Sequence, residues 1–265
     1  MGSGGPKVLR EVAGRAMLLR VLDALASMEE PPDPAVLVVG RGADEVRRVV
    51  EAEGGWPFAV RFALQRRRLG TGHALRQAAP PAAGRAAAVL VLYGDVPLIQ
   101  PGTLDALVRR HQLERPTLTL LTALVEDPSG YGRVLRRPGP APADDPLGDG
   151  VDPILAVVEE RAATPEQRRV REVNAGVYVF DDGWLWPALA SLAPSAAGEI
   201  YLTDLVSAAL RARRAVAAVR AADAGEALGV NTPEDLQRAD EMARLLALEP
   251  AAPHGAVPQA GRDRG

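Results

Sequence analysis

The sequence predicts an α/β fold, a parallel sheet with helices on both faces. Three observations carry that expectation. Short apolar runs rich in Val and Leu alternate with helical patterns through the first half of the chain. A glycine-spaced turn, Leu69-Gly70-Thr71-Gly72-His73-Ala74, opens one of those helices. The run Val91-Leu92-Tyr93-Gly94-Asp95-Val96-Pro97-Leu98 ends an apolar strand on a lone aspartate.

Taken in order, Ala35–Gly40, Phe58–Leu64 and Ala87–Gly94 read as strands. Between them lie Arg15–Met28, Gly42–Glu53 and Gly72–Ala79, which read as helices; in the first, Leu18, Val21, Leu22 and Leu25 share one face. Gly102–Glu114 is a further helix. Four strand-like runs follow with little helix between them: Thr117–Val125, Tyr131–Arg136, Ile154–Glu159 and Glu172–Phe180. They predict an antiparallel or mixed extension of the sheet. Arg137–Pro153, rich in Pro, Gly and Asp, reads as an extended surface loop. Thr203–Arg213 is helical. Thr232–Leu246 is a well-signalled helix, with Thr232 to cap it, Pro233 in its first turn, and Leu236, Ala239, Ala243 and Leu246 on one face. Pro250–Gly265 reads as a disordered tail, so the expected division is one domain over residues 1–249 and a tail over 250–265. No internal repeat is visible.

Composition excludes several classes. The 265 residues hold 47% hydrophobic side chains, enough for a real core, and 31 Lys+Arg against 34 Asp+Glu give a net charge of -3. Nothing in that balance points to a nucleic-acid partner or an anionic membrane. No cysteine is present, so disulfide, thiolate and zinc-thiolate chemistry are absent. No apolar run reaches the ~20 residues of a membrane span, and the N-terminus has no basic-then-apolar leader pattern. A cytoplasmic location is expected.

The glycine turn and the strand-end aspartate point together to a nucleotide and a divalent cation. Glycine lets a backbone come close to a ligand, a helix N-terminus favours anions, and open α/β sheets bind ligands at the carboxyl ends of their strands. Each signal alone has a plain alternative. The Gly-x-Gly turn can be only a turn, Gly94-Asp95 an ordinary reverse turn, and His73 a packed or hydrogen-bonded residue. Asn174-Ala175-Gly176 and Asn231-Thr232 can be turn or cap residues, and Glu159 and Glu160 a solvated strand end.

The order and spacing of the blocks go further. They are Pro6-Lys7-Val8-Leu9, Gln65 with the Leu69–Ala74 turn, Leu92–Leu98, Gly130-Tyr131-Gly132-Arg133, Val158-Glu159, Glu172-Val173-Asn174-Ala175-Gly176, Gly198-Glu199-Ile200-Tyr201-Leu202-Thr203-Asp204 and Gly229-Val230-Asn231. From about Met1 to about Leu246 this series resembles the uridylyltransferase (pyrophosphorylase) domain of bacterial N-acetylglucosamine-1-phosphate uridylyltransferases. In that family the domain usually precedes a β-helix acetyltransferase. The resemblance implies a Rossmann-like nucleotidyltransferase (nucleotide-diphospho-sugar transferase) fold, a mixed, mostly parallel sheet flanked by helices. It implies that UTP and N-acetylglucosamine-1-phosphate are joined, giving UDP-N-acetylglucosamine for cell-envelope synthesis, and pyrophosphate. Lys7 would contact the UTP phosphates, and Gln65, Gly70 and Thr71 would read the uracil. Tyr93 and Gly94 would line the nucleotide and sugar pockets. Asp95 and Asn231 would hold Mg²⁺. Gly132, Glu159, Asn174, Tyr201 and Thr203 would bind the sugar phosphate, with Lys7 and Asp95 carrying catalysis. The nucleophile, a phosphate oxygen, is already ionised at neutral pH, so no general base is needed, and positioning with charge neutralisation suffices. Other readings are a related sugar nucleotidyltransferase with another base or sugar, and an inactive binding domain. Oligomeric state is not legible.

The chain departs from the family at its start. Members begin with a strand and a loop of the form Leu-Ala-Ala-Gly-x-Gly-Thr-Arg-Met, and Met1 falls where that final methionine stands. The expectation is a start codon placed too far downstream. The chain as written then lacks its first strand, a phosphate loop and an arginine, with loss of stability and turnover. Arg161 stands where lysine is common, Ala175 where threonine or serine is common, and the Arg137–Pro153 loop is longer than usual.

Overall fold

The computed structural model describes residues 5–137, 154–195 and 198–245. After a 3-10 turn at Lys7–Leu9, the chain forms a small hairpin where the helical pattern was expected to begin. β1 (Glu11–Val12) pairs antiparallel with β2 (Arg15–Ala16). Ala13 and Gly14 between them both take positive φ, 49° and 76°, the two-residue turn whose twist matches a tight hairpin. α1 (Met17–Ala26) therefore starts two residues after Arg15, and its expected face is buried at Leu18, Val21, Leu22 and Leu25.

β3 (Ala35–Val39), α2 (Ala43–Glu53) and β4 (Val60–Leu64) form the predicted parallel βαβ unit. α3 (Thr71–Ala82), β5 (Ala88–Val91), α4 (Pro101–Glu114), β6 (Leu118–Leu124), β7 (Arg133–Arg136) and β8 (Ile154–Val158) follow within a few residues of their sequence boundaries. α5 (Pro165–Arg168) is a single turn closed by a Thr164–Gln167 capping box. Then come β9 (Glu172–Asp181) and, directly after it, α6 (Asp182–Ser191), which the sequence reading missed. Its signal was present: Asp181 accepts the Trp184 amide at 2.8 Å as an N-cap. α7 (Thr203–Arg211) leads to β10 (Val216–Arg220), also missed, whose Val-Ala-Ala-Val-Arg suits a helix as well as a strand. Pairing with β6 decides it. α8 (Pro233–Leu245) is capped as predicted: Thr232 Oγ1 accepts the Asp235 amide at 3.0 Å, and the Asp235 carboxylate accepts the Thr232 amide at 2.8 Å. The expected loop at 138–153, Leu246 and the tail at 250–265 lie outside the described residues.

The main sheet runs β10-β6-β9-β7-β8, with β5 also on β9. It is mixed. β10 and β6 are parallel, but β9 runs against β5, β6 and β7, so the parallel share is smaller than expected. β6 occupies one whole edge of β9. The other edge is divided: β5 pairs with Tyr178–Asp181, and β7 touches Val173. At 174–177 that edge has no strand beside it among the described residues, and the sheet forks.

Helices cover both faces. α1, α2 and α4 pack on one through Leu22, Val50, Leu104, Leu107, Val177 and Val179, and α3, α6 and α7 on the other through Leu75, Leu185, Leu205, Tyr178 and Phe180. A third cluster seats α8 on the hairpin through Val12, Met17, Leu98, Val230 and Ala239. Arg136 grips Glu172 behind the fork with two 2.6 Å bonds. Burial opposes the carboxylate, but the bonds from Arg136 outweigh it and hold Glu172 below the usual carboxylate range.

β3 and β5 belong to separate sheets and are not hydrogen-bonded to each other. Their side chains enter the same two cores: Ala35, Leu37, Val39, Ala88 and Leu90 the first, and Val36, Val38, Val89 and Val91 the second. Each strand has one partner among the described residues, β4 and β9 respectively. All four residues of β5 and the middle three of β3 are consequently only half-buried, although both strands are apolar and lie between helical layers.

Two outcomes follow. In hydrogen exchange read by mass spectrometry, segments 35–39 and 88–91 should exchange faster than 118–124, whose strand is paired on both edges; equal protection would show that the open edges are covered. Glu172 is depressed in the folded chain, so its contribution is present above its ordinary pKa and lost as pH falls through the depressed value. Glu172→Gln should therefore melt lower than the parent near neutrality and lose less on acidification from about pH 5 to about pH 3. Parallel melting curves across that range would contradict the assignment.

Candidate functional site

The fork in the sheet gathers most of the predicted residues into three neighbouring groups. The first is a convergence of oxygen on nitrogen. Lys7 Nζ lies 2.5 Å from Asp95 Oδ2 and donates to Asn231 Oδ1 at 2.9 Å. Lys7 comes from the 3-10 turn and Asp95 from the loop after β5. Asn231 comes from the approach to α8. The Val230 amide donates to the Asp95 carbonyl at 2.9 Å, which ties the two loops together. Gly94 packs beside them, and a Cβ there would stand 3.3 Å from Leu18 and 3.5 Å from Val8. The Tyr131 hydroxyl closes this corner on the Gly229 backbone; burial, the larger effect, pushes its pKa up.

A carboxylate and a carboxamide oxygen that one ammonium can reach together are hard donors around one point. That set suits Mg²⁺, which commonly takes one or two protein oxygens and completes its shell with water and phosphate. Among the described residues no group of three or more His, Asp or Glu could hold a metal by itself.

The second group is the glycine turn. Gln65 Nε2 donates to the Gly70 carbonyl at 3.1 Å and meets His73 Nδ1 at 3.0 Å. His73 is thus a hydrogen-bonded residue that orients the Gln65 amide, a role the sequence did not disclose. Gly70, at φ 95°, and Gly72 do permit a close approach, but the approach observed is by Ile200. A Cβ on Gly72 would stand 2.8 Å from Ile200 Cγ2, and one on Gly70 would meet the Ile200 carbonyl more closely still. The Gly72 amide donates to that carbonyl at 2.8 Å, and the Ile200 amide to Leu69 at 2.8 Å.

The third group faces the turn across the fork. Thr203 Oγ1 donates to Glu159 Oε1 at 2.6 Å. The Asn174 amide donates to the Gly132 carbonyl at 2.9 Å, and a Cβ on Gly132 would stand 3.8 Å from Asn174 Cβ and from the Val158 carbonyl. Tyr93 lies against Gly176, where a Cβ would fall 2.6 Å from the phenol ring. Burial pushes the Tyr93 pKa up to about 12, with Glu159 and Asp95 adding to the rise and the Thr71 hydroxyl opposing it. At pH 7 Tyr93 is a neutral hydroxyl. Thr71 Oγ1 accepts the Leu202 amide at 3.0 Å, which joins this group to the second. Tyr201 stands apart from these contacts: its hydroxyl bonds Glu199, which with burial raises its pKa.

A helix-sandwiched sheet that holds a nucleotide-type turn, a hard oxygen pair and a polar pocket around one fork defines a nucleotidyltransferase domain. The family model described as the MobA-like NTP transferase domain matches residues 1–138, and the chain belongs to that family. It is 40% identical over 250 residues to the bifunctional protein GlmU of Pelotomaculum thermopropionicum, covering 94% of this chain and 50% of that protein. It is 44% identical over 241 residues to the bifunctional protein GlmU of Thermus thermophilus, covering 91% of this chain and 48% of that protein. The chain thus spans about half the length of the curated relatives it matches. A solved UDP-glucose pyrophosphorylase in complex with UDP-glucose superposes with a TM-score of 0.65 at 16% identity, covering 91% of each chain, and shares the fold.

Gly70→Ala tests the close packing of the turn. A left-handed non-glycine residue costs about 1–3 kcal/mol, and here its Cβ also meets the Ile200 backbone. The variant should melt several degrees lower, and a melting point within one degree of the parent would show that the Ile200 contact is dispensable.

Proposed function

We propose that this chain transfers the uridylyl group of UTP to N-acetylglucosamine-1-phosphate, forming UDP-N-acetylglucosamine and pyrophosphate with Mg²⁺. The observation that carries the reading is the convergence of Lys7, Asp95 and Asn231 at the fork that also holds Gly132, Glu159, Asn174 and Thr203. The choice of base and sugar rests on the family resemblance of the Gln65 block and of the Glu159 and Asn174 blocks.

The chain's own residues supply the steps that such a transfer requires. Gln65, whose amide nitrogen is held by the Gly70 carbonyl and His73, presents its carbonyl oxygen as an acceptor to a pyrimidine edge. Asp95 and Asn231 would hold the cation, whose bound charge neutralises phosphate oxygens. Lys7, which bonds both oxygens here, would yield them to the cation and keep its ammonium beside them for the phosphates. Glu159, Asn174 and Thr203 offer acceptors and donors for sugar hydroxyl and amide groups. The attacking phosphate oxygen needs no base, so the site works by alignment and charge.

The test is pyrophosphate release from UTP and N-acetylglucosamine-1-phosphate with and without Mg²⁺, beside a panel of ATP, CTP and dTTP and of glucose-1-phosphate. The named pair should be favoured and EDTA should stop it. Asp95→Ala should lower kcat/KM by about 10² or more with an unchanged melting point. Asn174→Ala should raise the KM for the sugar phosphate about 5- to 100-fold, above its effect on UTP, because one lost partner leaves buried polar groups unpaired at about 1–3 kcal/mol. Preference for another nucleotide or sugar would reassign the substrates. Binding of both substrates without turnover would make the chain a binding domain.

A further inference from the structure

Tyr178 is fully buried on β9, between the sheet and the α3–α6–α7 layer, and stacks on Phe180 with ring centres 5.5 Å apart. A phenol at that depth needs partners for its hydroxyl. Both of its partners belong to the site. Asn174 Nδ2 donates to the Tyr178 oxygen at 2.6 Å. The Tyr93 hydroxyl is its other polar neighbour. The Thr71 hydroxyl bonds that same Tyr93 hydroxyl, and Thr71 Oγ1 itself accepts the Leu202 amide at 3.0 Å. A contiguous group of amides and hydroxyls therefore runs from Asn174 through Tyr178 and Tyr93 to Thr71 and Leu202, with direct hydrogen bonds at its two ends and the Tyr93 ring packed on Gly176 between them.

A regular strand would not allow this. Residues four apart on a strand are about 13 Å apart, too far for an Asn amide to reach a Tyr hydroxyl that stands perpendicular to the sheet. On β9 the register shifts: Asn174 is opposite Thr122 and Tyr178 is opposite Leu120, so Ala175, Gly176 and Val177 face the single Leu121. Gly176, at φ 75°, lies at the centre of that bulge. The bulge shortens the path between Asn174 and Tyr178. The missing Cβ of Gly176 leaves room for the Tyr93 ring, which completes the series.

We propose that Tyr178 is a positioning residue that couples the two substrate half-sites, setting the Asn174 amide on the sugar side and the Tyr93 and Thr71 hydroxyls on the nucleotide side as one unit. The kinetic part of the proposal rests on the function proposed above; the structural part does not. Tyr178→Phe keeps the ring and removes only the hydroxyl, so the test begins there, in the full chain. Amide hydrogen exchange is followed by NMR at Gly176, whose N–H donates to Asn174 Oδ1 at 3.3 Å, and at Leu202, whose N–H donates to Thr71. Protection should fall at both amides and hold in α4 and β6. The KM for N-acetylglucosamine-1-phosphate should rise about 3- to 30-fold with a smaller change in kcat. Asn174→Ala with Tyr178→Phe should be no worse than Asn174→Ala alone, since both break the same series.

Thr71→Val supplies a second route should Tyr178→Phe unfold. It should lower protection at Gly176 and raise the sugar-phosphate KM, although Thr71 belongs to the nucleotide side. Loss of protection at Gly176 alone in Tyr178→Phe, additive kinetics in the double variant, or a Thr71→Val effect confined to UTP would each overturn the coupling. A parent chain that does not turn over these substrates while Gly176 and Leu202 still respond together to Tyr178→Phe would support the coupling and reject the proposed reaction.

Discussion

Everything at the site depends on one constraint, that β9 serves two partners along a single edge. β6 holds the opposite edge throughout, so β9 cannot shift to satisfy β5 and β7 in turn. β5 must stop at Tyr178 and β7 must start at Val173, and among the described residues no strand lies beside those between. Unpaired backbone at a sheet centre is costly unless something else meets it. Here the Asn174 amide is met by the Gly132 carbonyl and the Gly176 amide by the Asn174 side chain. The fork is thus a product of strand pairing, and the groups that satisfy its backbone belong to the candidate site.

The glycines show how closely these parts are fitted. Gly70, Gly72 and Gly176 each leave out a side chain where another part of the chain comes within contact distance, Ile200 for the first two and the Tyr93 ring for the third. Two of them also take positive φ, which a side chain would resist. The same segment that presses on the turn, Ile200–Thr203, supplies the Leu202 amide to Thr71 and the Thr203 hydroxyl to Glu159. One short stretch therefore fixes the nucleotide-type turn and the polar pocket against each other, which positions groups without calling on long charged side chains.

Much of this was legible in the residues, and the parts that were not have physical reasons. α1 and α8 could be read because their apolar faces repeat with helical spacing and Thr232 is an N-cap by its chemistry. β10 was missed because Val-Ala-Ala-Val-Arg carries no strong preference and becomes a strand only beside β6. α6 was missed although Asp181 announces it, because its apolar residues run all around the helix and give no stripe to read. His73 could be recognised as a bonded residue, but not that Gln65 was its partner, since eight residues separate them and only the turn brings them together. Arg133, in the same block as Gly132, is buried and bonded to the backbone at Tyr131 and Arg168.

By itself the sequence determined the alternation of strand and helix, the turn at 69–74, and the family that the order of its blocks identifies. These are local or linear properties, set by side-chain periodicity and glycine spacing. Tertiary structure alone decided that Lys7, Asp95 and Asn231 meet at one point across separations of 88 and 224 residues. It also decided that β9 bulges at Gly176, that Tyr178 bonds Asn174, and that β3 and β5 fall in separate sheets. The reason is that such contacts depend on register and edge occupancy. Those are settled only when β9 has taken its place between β6 on one side and β5 and β7 on the other.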